Sequence, residues 1–384
     1  MKTQDSFATT TCPNPVAALL KTACAARLLP LLLLLLPLPA VVQAQDYTYT
    51  TNDDNTITIT EYTGSGGAVT IPDTINGLPV TSIGNAAFAY CSSLTNVTIP
   101  DSVTNIGYEA FYRCISLSSV TIPNSVTGIG DYVFCYCHSL TNVTIGTNVT
   151  SIGTLAFNGC WSLINVTIPN SVTNIGGSGA FFGCHSLTNV TIGNSVTNIG
   201  NYTFYNCTSL RSLTIPNSII NIGTNAFLKC TSLSSATIGN NVTSIGDYAF
   251  SNCTNLTSVY FKGNAPSIGL YVFFGDNNTT IYYLPGTTGW TNFAQLTGRP
   301  TVLWNPKAQT SGASFGVRTN RFGFNIIGTS NLVVVVEACS LANSTWIPVG
   351  TNTLNTFVGT NGTSYFGDSA WTNYPVRCYR LRSP

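Results

Sequence analysis

Apolar residues return along this chain at fixed offsets within a 23-residue phrase. One copy runs from Cys91 to Arg113, and its apolar positions are Leu94, Val97, Ile99, Val103, Ile106, Ala110 and Phe111. The cysteines at 91, 114, 137, 160, 184, 207, 230 and 253 mark the register. Every interval between them is 23 except one of 24, where a Gly-Ser-Gly stretch at Gly177 adds a residue. A fixed period of roughly 20 to 50 residues is the signature of a solenoid, in which each unit buries its apolar face only against its neighbours.

Within the phrase, Val97 and Ile99 alternate with Asn96 and Thr98, which predicts a strand with one buried face. Pro100 ends that strand because it has no N–H to donate. Val103 and Ile106 turn the chain inward again, and Gly107 is expected to supply a positive φ. Ala110, Phe111 and Cys114 fall at helical spacing, predicting one short α or 3₁₀ turn on the opposite side. Ile-Gly recurs nine times, from Ile83 to Ile268, each time followed by a phenylalanine, from Phe88 to Phe273. Nine coils are counted this way. One coil alone buries too little apolar surface to offset the entropy of ordering it, so the coils must stack.

The ends depart from the phrase. Residues 45–90 hold an N-terminal cap and a degenerate first coil, with Tyr47-Thr-Tyr-Thr and Thr56-Ile-Thr-Ile-Thr as alternating strands. Residues 91–285 are the repeats, and residues 286–307 read as a cap and linker rich in Thr, Gly and Pro. Residues 308–384 read as an all-β module. Phe322-Gly-Phe-Asn-Ile-Ile, the apolar run 332–336, Trp346-Ile-Pro-Val, Ser364-Tyr-Phe and Arg377-Cys-Tyr-Arg-Leu supply five or six short strands, which suggests a small sandwich.

The pattern L-x-x-V-x-I-P-x-x-V-x-x-I-G-x-x-A-F-x-x-C, carried from Ile71 to Leu284, resembles the Treponema-type or BspA-like leucine-rich repeats. The resemblance implies a β-rich solenoid, curved, with a parallel sheet on one face and short helical turns. It also implies a secreted or surface-displayed bacterial protein. Some members of that family bind host proteins or other cells. The family supplies no catalytic motif and no binding residue to carry over. The departures here are low charge and the extra residue near Gly177, which is expected to bend the stack locally.

Charged residues make up only 7% of the chain and the net charge is +1, so nothing suggests nucleic acid, which needs a basic footprint. From Arg299 onward, seven basic residues face two acidic ones, a balance suited to an anionic envelope. Lys21 and Arg27 precede an apolar run over residues 28–42 that ends in Val42-Gln43-Ala44. Residues 1–44 therefore read as a signal peptide cleaved after Ala44, and a membrane anchor is the alternative. The run is interrupted by Pro30, Pro37 and Pro39 and is short for a membrane span, and no second span follows. Cys12 and Cys24 leave with this leader. Export permits disulfides, yet eight cysteines share one repeat position and read as a buried column of reduced thiols. Cys339 and Cys378 stand apart and are candidates for one disulfide.

Candidate chemistry is sparse. Cys135, Cys137 and His138 form a C-x-C-H string, and Cys184-His185 repeats part of it, but two coils separate the pairs. That is about 10 Å, too far to share one zinc. Asp131 and Asp247 occupy one repeat position five coils apart, so no acid pair forms. No nucleophile elbow or phosphate loop appears. We therefore expect no enzymatic activity, no metal and no cofactor. The patterned surface is the outer strand face: Asn96 and Thr98, Ser119 and Thr121, Asn142 and Thr144, Asn165 and Thr167, Asn189 and Thr191, Ser212 and Thr214, continuing to Ser235 and Thr237. Three readings of it compete: a merely solvated strand, a binding face for a protein, cell-surface ligand or glycan, and a threonine array that binds ice. The Asn-Val-Thr triplets match a glycosylation sequon only because the repeat contains them. The reading is a secreted or cell-surface adhesion protein, with a structural surface component as the alternative.

Overall fold

The computed structural model describes residues 46–304 and, beyond them, 307–308, 316–318, 321–328, 333–340, 343–353, 362–370, 372 and 377–382. The signal peptide expected over residues 1–44 lies outside the described residues. The alternating segment around Val97 is a strand, Leu94–Thr98, and its counterparts stack on it in parallel, one per coil. Eleven strands form this file, from Gly67–Thr70 to Thr301–Leu303. Six pair in one sheet and five in a second, with the break between Asn189–Thr191 and Ser212–Thr214. The residues around Ile106 form a second parallel file, in which seven strands run from Gly128–Ile129 to Ser267–Ile268. Like meets like in the register: Val143 pairs with Val120, Thr144 with Thr121, Val166 with Val190 and Thr167 with Thr191.

The third side is made of turns. Ala110 N–H bonds Gly107 C=O and Cys114 N–H bonds Phe111 C=O, which is the tight turn expected at this spacing. No helix grows from it, because Glu109 and Arg113 take positive φ of 55° and 57°. Equivalent residues repeat the conformation in other coils, as at Tyr132, Tyr136, Tyr248 and Asn252. Such residues are rare outside glycine and persist where the surroundings over-determine them. Here the coils on both sides do so: Arg113 N–H bonds Cys135 C=O of the next coil at 2.8 Å, and Tyr90 N–H of the preceding coil bonds Tyr112 C=O at 2.7 Å.

Gly107 does not hold the positive φ expected of it. A Cβ there would lie 2.7 Å from the Asn85 nitrogen and 2.8 Å from the Gly84 carbonyl carbon. The glycine is required because adjacent coils touch backbone to backbone at this corner. The same clash would occur at Gly153, at 2.5 Å from the Gly130 carbonyl carbon.

The core is a continuous stack. Nine phenylalanines, from Phe88 to Phe273, are buried in one file. Their rings are 4.9 to 5.6 Å apart and within 23° of parallel. Tyr62 continues the stack at the N-terminal end, 5.0 Å from Phe88. The extra residue near Gly177 leaves this core unbent: Phe157 and Phe181 stand 5.2 Å apart at 1°. It is taken up as a bulge in strand Asn174–Ser178, where Ile175 pairs with Ile199 and Ser178 with Asn201.

An antiparallel hairpin, Tyr47–Thr51 with Ile57–Tyr62, opens the solenoid. Helix Trp290–Thr297 closes it, with Trp290 5.1 Å from Phe261 and 5.0 Å from Tyr283. Beyond it, two antiparallel sheets form the small β-module. One is built on Arg321–Gly328 and Gly362–Asp368, the other on Val333–Ser340, Asn343–Thr353 and Arg377–Arg382. Phe324, Ile326, Phe366 and Val336 of the module share a buried cluster with Tyr260, Tyr282 and Trp304 of the solenoid.

Phe157→Ala, at the centre of the stack, is expected to destabilise the full-length protein by about 3–5 kcal/mol in urea-induced unfolding. A loss below about 1 kcal/mol would contradict a continuous ring stack as the core.

Candidate functional site

The strand face is built by the alternation that buries Val97, Val120, Val143 and Val166 and turns their neighbours outward. Thr98, Thr121, Thr144, Thr167, Thr191 and Thr214 form one exposed file. Asn96, Ser119, Asn142, Asn165, Asn189 and Ser212 form the second, with Asn96 and Ser119 half-buried. Asn96 donates to the Ser119 hydroxyl at 2.9 Å, and Asn165 accepts from Thr188 at 3.3 Å. The six threonine hydroxyls make no hydrogen bond within the described residues. Two other files are used differently: Thr104 and Thr150 at one repeat position, and Ser118, Thr141 and Ser234 at another, each donate to a backbone carbonyl of the preceding coil at 2.9 to 3.3 Å.

Two grooves run along the face. One of about 440 Å³ is lined by Thr98, Asp101, Thr121, Asn124 and Thr144. Another of about 380 Å³ is lined by Asn189, Thr191, Thr214, Asn217 and Lys262. The face ends sooner than the repeat suggests. Thr237, expected outward, is buried, and the file continues in register as Tyr260 and Tyr282, which the β-module covers.

The thiol column has a specific structural role. Cys114, Cys137, Cys160, Cys184, Cys207, Cys230 and Cys253 each donate to the carbonyl of the preceding coil's phenylalanine at 3.1 to 3.4 Å. Each such carbonyl also accepts the N–H of its own coil's cysteine, as Phe111 does from Cys114 at 3.2 Å. Burial pushes Cys114, Cys160 and Cys253 well above the ordinary thiol value, which suppresses thiolate chemistry.

The titratable residues do not converge. Asp131 accepts from Thr154 N–H at 2.6 Å and Asp247 from Leu270 N–H at 2.7 Å, so both acids tie one coil to the next. His138 stacks on Trp161 at 3.7 Å and 4°, while the His185 ring is tilted with its centroid 6.3 Å from that of Trp161. Cys135 is buried and accepts from Asn158 at 3.4 Å. No group of three or more His, Cys, Asp and Glu side chains among the described residues is placed to hold a metal.

Two features escape the consensus reading. Around Arg113, whose guanidinium lies 5.3 to 5.9 Å from the Tyr90, Tyr112 and Tyr136 rings, an aromatic rib continues through His138, Trp161 and His185. These residues sit at variable repeat positions, so only their adjacency in consecutive copies could have signalled them. The second lies at the end of the thiol column. Asp276 occupies the cysteine position of the last coil, buried, with neither carboxylate oxygen hydrogen-bonded among the described residues. Arg299 donates to the Phe273 carbonyl at 2.9 Å, across the same 26-residue offset by which the thiols reach theirs.

A solenoid with parallel strand files, in-register coils and an exposed polar strand face defines a leucine-rich repeat protein. The model of the BspA type leucine rich repeat region, in six copies, matches residues 62–179 and 177–292. The chain belongs to that family. It is similar to a leucine-rich repeat protein from Bacteroides ovatus, 28% identical over 67% of this chain and 75% of that one, with a TM-score of 0.55. It also matches the Treponema pallidum leucine rich repeat protein, at 27% identity over 67% and 96% of the two chains and a TM-score of 0.39. A leucine rich cell surface protein from Faecalibacterium prausnitzii is 28% identical over 67% and 92%, with a TM-score of 0.32. None of the curated proteins matches the chain. No helix among the described residues is long and apolar enough to cross a membrane.

Burial raises the Asp276 carboxyl from 3.8 to about 7, against the opposing pull of Arg299. Between those values the folded state holds a proton that the unfolded state has lost, so stability falls as pH rises from about 4 to 7. Asp276→Asn is expected to raise the melting temperature at pH 8 and leave it nearly unchanged at pH 4. An equal shift at both pH values would contradict this assignment.

Proposed function

We propose that this is a secreted or cell-surface, non-enzymatic repeat protein that binds a protein or cell-surface ligand through the strand face between Asn96 and Thr214. One observation carries the reading: the threonine hydroxyls of this face are exposed and make no hydrogen bond among the described residues, whereas hydroxyls of two other files are bonded to backbone. The face offers donors and acceptors at a rigid spacing near 4.8 Å, with almost no charge to select a charged partner. A ligand bound there gains many weak hydrogen bonds without loss of flexibility in the protein, because the strands are already fixed on both sides. The apolar run over residues 28–42 and the sequence Val42-Gln43-Ala44 support export. Membership of a family whose proteins are mostly secreted or surface-displayed supports the same setting.

The test compares the full-length protein with a Thr121→Lys, Thr144→Lys, Thr167→Lys triple variant for binding to whole cells and immobilised matrix proteins. All three residues are exposed, so the fold should be retained by circular dichroism. Binding is expected to fall at least tenfold, with Trp161→Ala on the turn side leaving it unchanged. Equal binding by the triple variant and the parent would refute the assigned face.

A further inference from the structure

We propose that Cys339 and Cys378 form a cross-strand disulfide that fixes strand Arg377–Arg382 and so holds the β-module on the end of the solenoid's strand face. The two residues are directly opposed in the antiparallel pairing of Val333–Ser340 with Arg377–Arg382. Directly opposed residues in antiparallel strands have Cα atoms about 4.5–5.5 Å apart. A disulfide spans Cα separations of about 4.4–6.8 Å, so the bond closes without moving either strand. Cys378 is exposed and Cys339 half-buried, so a small oxidant reaches them.

Seven of the solenoid thiols differ in each respect, and Cys91 at the start of the column is half-buried. Consecutive column cysteines sit at one repeat position, so their Cα–Cβ bonds point the same way rather than towards each other. The seven from Cys114 to Cys253 are buried, and each thiol is bonded to a phenylalanine carbonyl. The chain therefore separates seven buried thiols from one accessible, directly opposed pair.

The position of the pair gives the bond a purpose. Arg377–Arg382 is an edge strand, paired on one side only among the described residues. Its Tyr379 bonds Asp368 at 2.7 Å and stacks on Phe322 at 5.3 Å. Tyr379 and Leu381 both pack against the cluster that joins the module to Tyr260, Tyr282 and Trp304. On the other face, Glu337 pairs with Arg380 at 2.7 Å, two steps along the ladder from the cysteines. An edge strand held by one ladder opens easily. A covalent link at Cys378 confines that opening and keeps Tyr379 and Leu381 in the cluster.

The bond forms by thiol–disulfide exchange with a small-molecule disulfide such as oxidised glutathione. The Cys378 thiolate attacks one sulfur and releases one glutathione thiolate. The Cys339 thiolate then attacks the Cys378 sulfur of the mixed disulfide and releases the second. The protein pair loses two electrons and two protons, and the glutathione disulfide is reduced to two thiols. The geometry stands apart from the proposed ligand face, and no ligand binding enters the test.

The full chain is reduced, exchanged into oxidised glutathione, denatured under acid and digested with trypsin. No Lys or Arg lies between Arg321 and Arg377, so the expected product is peptide 322–377 joined to the tripeptide 378–380. Cys339→Ser and Cys378→Ser should each abolish it. Amide hydrogen exchange in strand 377–382 should slow at least tenfold in the oxidised protein relative to the reduced one. Glutathione left on Cys378 without the cross-link, or a link to a column cysteine, would overturn the pairing. A cross-link that leaves exchange in that strand unchanged would overturn its role as a clamp.

Discussion

Every coil of this protein presents its neighbour with a copy of itself, and in-register stacking is the constraint on which the rest depends. A single coil has no core. Phe157 is buried only because Phe134 and Phe181 lie 5.3 and 5.2 Å away on its two sides. The same displacement satisfies the backbone on all three sides of the coil, through two strand files and the inter-coil bonds of the turns. It also gives each thiol its carbonyl. A side chain suited to one coil is then suited to all, which is why a few residue types repeat at fixed places.

The constraint explains the exceptions as well. Where coils meet backbone to backbone, as at Gly107 and Gly153, a Cβ has no room. Where a residue is added, the chain sheds it sideways as a bulge, because displacing the phenylalanine would break contacts both above and below. At the ends, where no further copy follows, different residues take over. Tyr62 covers Phe88 at one end. At the other, Arg299 reaches the Phe273 carbonyl in place of the next thiol, and Asp276 stands in the cysteine position with its carboxyl pushed towards neutrality.

Function is left to the side chains that stacking does not use. Asp131 and Asp247 are spent on linking coils, and the turn-side aromatics pack on one another around Arg113 and Trp161. The strand-face threonines are not spent. Their file is interrupted where Thr gives way to Tyr260 and Tyr282, and there the β-module sits. The module thus covers the C-terminal end of the strand face.

The repeat by itself determined the coil, its inward residues, its outward files and its family, because one-dimensional stacking makes the contacts of residue i the residues 23 before and after it. The alternation in residues 308–384 likewise located the strands of the module. Contacts that do not follow the period were invisible. The covering of Tyr260 and Tyr282 comes from strands of the β-module far along the chain, and the opposition of Cys339 to Cys378 from a pairing that no spacing rule specifies. At Gly107 a tight turn and a close approach both demand glycine, and only the neighbouring coil distinguishes them. Periodic order is a local property and can be read along the chain, whereas the docking of the module depends on surfaces that exist only after both parts have folded.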